Sequence, residues 1–373
     1  MRQSLQTFVA NSGLLVLGTA IALLWANLDH PTYAGAAGAL HFWVNEVGMV
    51  LFFALATKEV VEATAPGGAL HSPRRAALPL AAAVGGMLGP ALIFLQLTIQ
   101  FDRPDLERGW AIPCATDIAF SFLAARIVFG AKHPAIPFLL LLAIADDALG
   151  LLIIAAFYPT GPLHLIDFVA LVLAGMGAAW WLNKRRVKNF WLYLLIPGVL
   201  SWVGFHRGGL HPALALVPII PFLPHAARDP GLFVENKSLH DTLTEFEHWW
   251  KRPVDVLLFF FGLANAGVTL TNGGTGTWLV LGSILVGKPV GILAATALTT
   301  AGGLRKPQGV TWRDLAVVGI LAGIGFTVAL FFATAAFPYG RLLDETKLGA
   351  LLSMSACFLG LAAAKLLRVG RFG

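Results

Sequence analysis

Charge is what this sequence has least of: Asp, Glu, Lys and Arg make up only 12% of its 373 residues, about half the share in a soluble globular domain. That scarcity, beside 57% hydrophobic residues, excludes an ordinary soluble fold and indicates an integral membrane protein. Cysteine is nearly absent as well. Cys114 and Cys357 both lie in apolar segments, which excludes a disulfide or thiolate–metal framework and reads as buried thiols. The long apolar runs lack period-two alternation, which disfavours a transmembrane barrel. The first of them, Gly13 to Leu28, ends without a small-residue cleavage pattern, so a retained span is expected rather than a signal peptide.

What is present is a succession of apolar runs of roughly 17 to 25 residues, each able to cross a bilayer as a helix. They predict twelve spans. The first six are Asn11 to Leu28, Leu40 to Thr64, Ala76 to Ile99, Trp110 to Phe129, Ala135 to Phe157 and Leu163 to Asn183. The others are Phe190 to Phe205, Gly208 to Leu223, Val254 to Leu270, Trp278 to Thr300, Leu315 to Phe337 and Leu343 to Leu367. The expected fold class is an all-α polytopic membrane protein forming one transporter domain over 1–373.

Basic residues set the sidedness. One set of links holds Arg74, Arg75, Arg126, Lys132, Lys184, Arg185, Arg186, Lys188, Arg228, Lys237, Lys251, Arg252, Arg305, Lys306 and Arg313. The alternate set holds only Arg103, Arg108, Arg207, Arg341 and Lys347, and the termini add Arg2, Lys365, Arg368 and Arg371 to the richer side. Both termini are therefore expected in the cytoplasm. The net charge of +6 needs no nucleic-acid partner, since positive-inside topology and anionic headgroups of the lipid bilayer absorb it. Of the 26 lysines and arginines, only Lys58 and Lys288 remain outside these links and termini.

Acidic residues also remain inside apolar runs: Asp117, Asp146 and Asp147, with Glu59 nearer a helix end. A central charge costs about 2.5 to 3.5 kcal/mol, so Asp117, Asp146, Asp147 and Lys288 together cost on the order of 10 kcal/mol if unpaired. They must be paired, hydrated or useful. In "GWAIPCATDIAFSFL", Pro113 removes an amide donor and Thr116-Asp117 forms a natural N-cap, so the fourth span is expected to break there. In "GILAGIGFTVALFF", Gly323 and Gly325 interrupt the eleventh span and Thr327 opens its second half.

Each break falls in the second helix of a three-helix unit. Two such units, approximately 76–157 and 278–367, form the pattern of an inverted-repeat transporter with its ion site where the broken backbones meet. Half-helix N-termini gather there with positive dipole ends and C-termini with negative ones. Asp117 is a candidate to neutralise the first kind and Lys288 the second. Adjacent helical residues point about 100° apart, so one of Asp146 and Asp147 can face an ion cavity near Asp117 while the other faces Lys288. A carboxylate in low dielectric beside another holds a proton more tightly than in water. Sodium can displace that proton, and mutually exclusive occupancy is enough to make an exchanger.

These residues resemble the NhaA-type bacterial Na+/H+ antiporters. The matching stretches are "GWAIPCATDIAF", "AIADDALG", "FGLANAGV", "VGKPVGI" and "GILAGIGFT", with "HPALA" and the "EFEHW" run, in the family's order and over nearly the whole chain. The resemblance implies twelve helices with the fourth and eleventh interrupted and crossing. It implies electrogenic exchange of cytoplasmic Na+ or Li+ for external H+ across the bacterial inner membrane, with no cofactor. By matching position, Asp147 looks like the main carboxylate for the transported ion and Asp146 like the proton-carrying partner of Lys288. Asp117 and Thr116 look like contributors to the site. Glu59, Glu247 and His248 fall at cytoplasmic helix ends and are candidates for a regulatory role, and the segment around Glu59 is the one the resemblance ties to activation at alkaline pH.

This chain departs from the family in two places. Where the family reads close to "GLEVKREL", "ATKEVVEAT" keeps Glu59, loses the following Lys-Arg-Glu and introduces Lys58. The link Asp29 to Ala39 is short for the hairpin through which some members form a homodimer. Two other functions are weighed. A Na+- or H+-coupled symporter of an organic solute would want a larger polar cavity than Ala115, Ile118, Ala119, Ile324 and Val328 provide. An intramembrane aspartyl protease would want Tyr-Asp and Gly-x-Gly-Asp, and here Gly325 is followed by Phe326, so no enzyme is expected.

Overall fold

The computed structural model describes residues 2–225, 241–337 and 339–373; for residues 2–12 and Arg75 it describes the backbone alone. Arg228 and Lys237 therefore lie outside the described residues, as do the side chains of Arg2 and Arg75. Every regular element among the described residues is helical. The first half of the chain carries α1 (Arg2–Leu28), α2 (His30–His41), α3 (Met49–Thr64), α4 (Pro73–Gln100), α5 (Ile118–Phe129), α6 (Ala135–Phe157), α7 (Leu165–Lys184), α8 (Phe190–Tyr193) and α9 (Val199–Gly208). The second half carries α10 (Thr242–Asn265), α11 (Thr275–Gly282), α12 (Lys288–Ala301), α13 (Trp312–Ala322), α14 (Phe326–Ala336), α15 (Arg341–Leu352) and α16 (Ser355–Leu367). π-helical turns join α2 to α3, α8 to α9 and α11 to α12 without ending the helix.

Among the described residues, six helices are long and apolar enough to cross a membrane, or eight if each of two bent pairs is one span. The bent pairs fall at the two expected breaks. Pro104–Cys114 and Ile118–Phe129 meet at 55°, and Trp312–Ala322 and Phe326–Ala336 at 49°. Proline explains the first break, because Pro113 closes a 3-10 turn and the chain then runs extended through Ala115 to the Asp117 N-cap.

Three expected boundaries are corrected. The segment Gly208 to Leu223, expected as the eighth transmembrane helix, is instead two short 3-10 turns, Pro212–Leu214 and Ile220–Phe222, joined by further turns. Pro212, Pro218 and Pro221 remove amide donors at intervals too short for an α-helix to propagate. This irregular backbone is tolerated because it is buried in protein: Ala213, Leu214, Ala215 and Ile219 are all buried. The link Asp29 to Ala39 is not a loop, since Asp29 caps α2 by accepting from Thr32 N. The ninth span begins at Thr242 rather than Val254, so the "EFEHW" run lies inside α10; Asp241 caps it through Thr244 N at 2.7 Å.

α4 packs along α12 and the π turn before it. The approach is close because the facing residues are small: a Cβ on Gly85 would meet the Gly291 carbonyl, and one on Gly89 the Gly287 carbonyl. α12 also packs on α13, and α6 lies against α3, α4 and α5. α4 and α12 thus lie side by side, with α6 and both bent helix pairs alongside. Further out, Asn45 before α3 and Asn265 at the end of α10 exchange two amide hydrogen bonds at 3.0 and 2.9 Å. That buried pair joins the turn before α3 to α10.

Candidate ion site at the two helix breaks

The two breaks satisfy one another's backbone. Asp117 N donates to Ile324 O at 2.6 Å, and Ser121 Oγ donates to Leu321 O at 2.9 Å. A helix interrupted in an apolar interior exposes amides and carbonyls that need partners; here each break supplies some for the other.

Asp117 stands at two helix N-termini. Its Oδ1 accepts from Phe120 N at 3.3 Å, at the start of α5. Its Oδ2 accepts from Thr327 N at 3.2 Å and Thr327 Oγ1 at 2.5 Å, at the start of α14. One anion therefore faces two positive dipole ends. Lys288 stands at the opposite kind of end: its ammonium donates to the Cys114 carbonyl, which closes the first half of the broken span.

The aspartate pair divides between two surroundings. Asp146 is buried against Lys288, whose Nζ lies 3.0 Å from Oδ2. Thr116 Oγ1 lies 2.7 Å from the same oxygen and 3.0 Å from Ala322 O, so its one proton can serve either. Asp146 Oδ1 has no hydrogen-bond partner among the described residues. Asp147, one position on, lines a cavity of about 10 Å³ with Phe52, Phe53, Gly150, Leu151, Ile154 and Val328, room for about one water. Asp146 and Asp117 lie within electrostatic range of it.

The regulatory candidates separate. Glu59 and Glu247 come together on Lys58, at 3.5 and 2.7 Å, and Glu62 joins them at 2.5 Å. His248 is exposed and takes no part. Lys58 is itself only 5% exposed, and its half-buried glutamate partners make this nest a tie between α3 and α10. Lys58 had shown itself in the sequence as a basic residue without a link to sit in; Glu62 had shown nothing. A second nest also escaped the sequence. Glu345 is 1% exposed and holds Arg103, Arg341 and Gly276 N. In the link beside it, hydrogen bonds from Arg103 hold the Asp105 carboxyl below the usual carboxylate range.

The model of the family described as Na+/H+ antiporter 1 matches residues 2–364. The chain belongs to that family. Among its relatives, the Na(+)/H(+) antiporter NhaA 2 of Pelobacter propionicus is 48% identical over 365 residues, covering 95% of each chain. The Na(+)/H(+) antiporter NhaA of Geobacter metallireducens is 48% identical over 369 residues, 96% of each chain. In fold, the chain is similar to the sodium proton antiporter MjNhaP1 from Methanocaldococcus jannaschii at pH 8, with a TM-score of 0.55 over 95% of this chain and 91% of that one. Their sequences are 16% identical, so that likeness speaks for the fold alone. Within the Na+/H+ antiporter 1 family, this chain is thus a multi-pass membrane protein with buried Asp117, Asp146 and Lys288 at and beside the first helix break.

Proposed function

We propose that this protein is a secondary antiporter that exchanges cytoplasmic Na+, or Li+, for external H+ across the bacterial inner membrane. Family membership makes it a transporter rather than an enzyme and gives the symporter reading no support. One observation carries the choice of residues: of two adjacent carboxylates, Asp146 has Lys288 as counter-ion, while Asp147 faces a small cavity. A carboxylate without a resident cation can take either a proton or a small cation from water, and a site that holds only one at a time couples their opposite movement. Asp147 is the binding group for the transported ion. Asp117 acts on it through its charge, Thr116 contributes through its hydrogen bond to Asp146, and Asp146 with Lys288 takes part in proton movement as a coupled pair.

The cavity also argues on size. About 10 Å³ suits a water or a dehydrated ion, and Phe52, Phe53, Leu151, Ile154 and Val328 give an organic solute no polar purchase. The architecture that fits this function has twelve crossings, both termini in the cytoplasm, inverted repeats at 76–157 and 278–367, and interrupted fourth and eleventh crossings that pass each other at the site. The test is Na+-dependent dissipation of a preset pH gradient in proteoliposomes between pH 6 and 9. Wild type is expected to respond and Asp147→Asn to be silent; unchanged exchange in Asp147→Asn would remove the assignment.

A further inference from the structure

Glu345 lies in α15, far in sequence from every residue of the ion site, yet it is one of the most completely buried carboxylates in the protein at 1% exposure. Oε2 accepts from Gly276 N at 2.8 Å and from Arg103 Nη1 and Nη2 at 3.3 and 3.4 Å. Oε1 accepts from Arg341 Nε at 3.0 Å. Its backbone carbonyl accepts from Thr277 Oγ1 at 2.9 Å. The fit leaves no room for a side chain at position 276, where a Cβ would sit 2.8 Å from Oε2. So many charge-assisted bonds to one buried carboxylate fix it in place.

Two arms leave this point and meet again at the ion site. From Arg103 the chain runs through the 3-10 turns Pro104–Gly109 and Ile112–Cys114 to the Cys114 carbonyl. From Gly276 it runs up α11 and through the π turn Ser283–Gly287 to Lys288, the first residue of α12, about 18 Å away at helical rise. The arms rejoin where Lys288 donates to the Cys114 carbonyl. Between anchor and lysine lies the weakest part of the helix, because a π turn holds one residue more per turn than an α-helix prefers. Relaxing that turn would rotate Lys288 by about 100° relative to Asp146.

We propose that Glu345 is a positioning residue for the Lys288–Asp146 pair. By holding the start of α11 and the approach to the first break in one register, it keeps the π turn wound and the ammonium beneath Asp146. The role rests on the antiport reading above only for its transport consequence. The titratable groups facing Asp146 are Lys288 from α12, Asp147 on its own helix, and Cys114 from the first break; Asp117 acts on Asp147. Only Lys288 brings a positive charge. A carboxylate that loses its ammonium keeps its proton to higher pH, so loosening the anchor should move the pH of half-maximal exchange upward.

Two measurements test this. In proteoliposomes, Glu345→Gln and Arg103→Lys are expected to shift the Na+-exchange profile upward by about one pH unit, a tenfold change in proton occupancy, while activity is retained at alkaline pH. A uniform loss at every pH with an unmoved midpoint, or no change, would overturn the proposal. The second measurement needs no transport: thermal midpoints of wild type, Glu345→Gln, Lys288→Met and the double variant. Sites this far apart normally add, so a double variant clearly less destabilised than the sum of the singles supports the link, and strict additivity contradicts it. If wild-type vesicles show no Na+-dependent flux, the antiport reading fails by itself and the stability cycle still judges Glu345. Should Glu345→Gln not fold, Arg103→Lys carries both arms.

Discussion

Thr327 donates both its backbone amide and its hydroxyl to the Asp117 carboxylate, at 3.2 and 2.5 Å, so a residue of one broken helix is seated on the cap of the other. Asp117 is therefore a joint between the two breaks. Thr327→Val is expected to destabilise the protein by about 1 to 3 kcal/mol, the range for leaving a buried polar group unpaired, and Thr327→Ser to restore it. Thermal unfolding in detergent would measure both. Equal midpoints for the valine and serine variants would show that the hydroxyl bond does not matter.

The two neighbouring aspartates should differ in what their loss does to stability. Asp146→Asn leaves Lys288 buried without its counter-ion and is expected to cost about 3 to 5 kcal/mol. Adding Lys288→Met to that variant should recover most of the loss. Asp147→Asn removes a charge that has no ion pair among the described residues, so its midpoint should stay level or rise while exchange disappears. Comparing melting midpoints with flux on the same preparations distinguishes the two residues.

Lys58 is the cation shared by Glu59, Glu62 and Glu247. Lys58→Met would leave three carboxylates facing one another with only Lys251 still within electrostatic range of Glu59, and like charges held close repel. The sign of the pH dependence follows. The deficit is greatest where all three carboxylates are ionised, at neutral and alkaline pH, and shrinks as acid protonates them. Unfolding of Lys58→Met and wild type followed from pH 5 to pH 9 should show curves that converge at the acid end. Parallel curves would mean that the nest contributes packing only.

Asp105 makes a smaller contribution of known sign. Its carboxyl is held below the ordinary range by hydrogen bonds from Arg103, so its stabilisation is present above the unfolded-state value of about 3.9. It is lost as pH falls through the lower folded value. Because its side chain is 44% exposed, solvent screening keeps the effect of Asp105→Asn at neutral pH within about 1 kcal/mol. Urea titrations of wild type and Asp105→Asn should show a small difference at pH 7 that shrinks progressively as the pH is lowered below about 4.

Much of the fold was legible in the sequence because a bilayer imposes a coarse rule: long apolar runs become helices. Ala135 to Phe157 was delimited to the residue, and both breaks were visible from Pro113 and from Gly323 with Gly325, since those residues interrupt a backbone locally. Gly208 to Leu223 was misread because hydropathy counts apolar side chains and is blind to the amides that Pro212, Pro218 and Pro221 lack. Glu345 and Glu62 were illegible for a different reason. A carboxylate near the end of a span looks solvated in sequence; only the packing of distant segments over Glu345 makes it buried, and only the burial of Lys58 makes Glu62 its partner.

Composition and local pattern by themselves determined that the chain lives in a membrane, where its two broken helices break, and that Asp117, Asp146, Asp147 and Lys288 must find partners. Those follow from the cost of charge and of unpaired backbone in hydrocarbon, which any single segment feels by itself. Tertiary structure decided which aspartate received the ammonium, that Lys58 would tie α3 to α10, and that Glu345 would hold the far ends of two arms that meet at Lys288. Such pairings depend on distances of a few ångströms between residues many positions apart, and only the packed chain sets them.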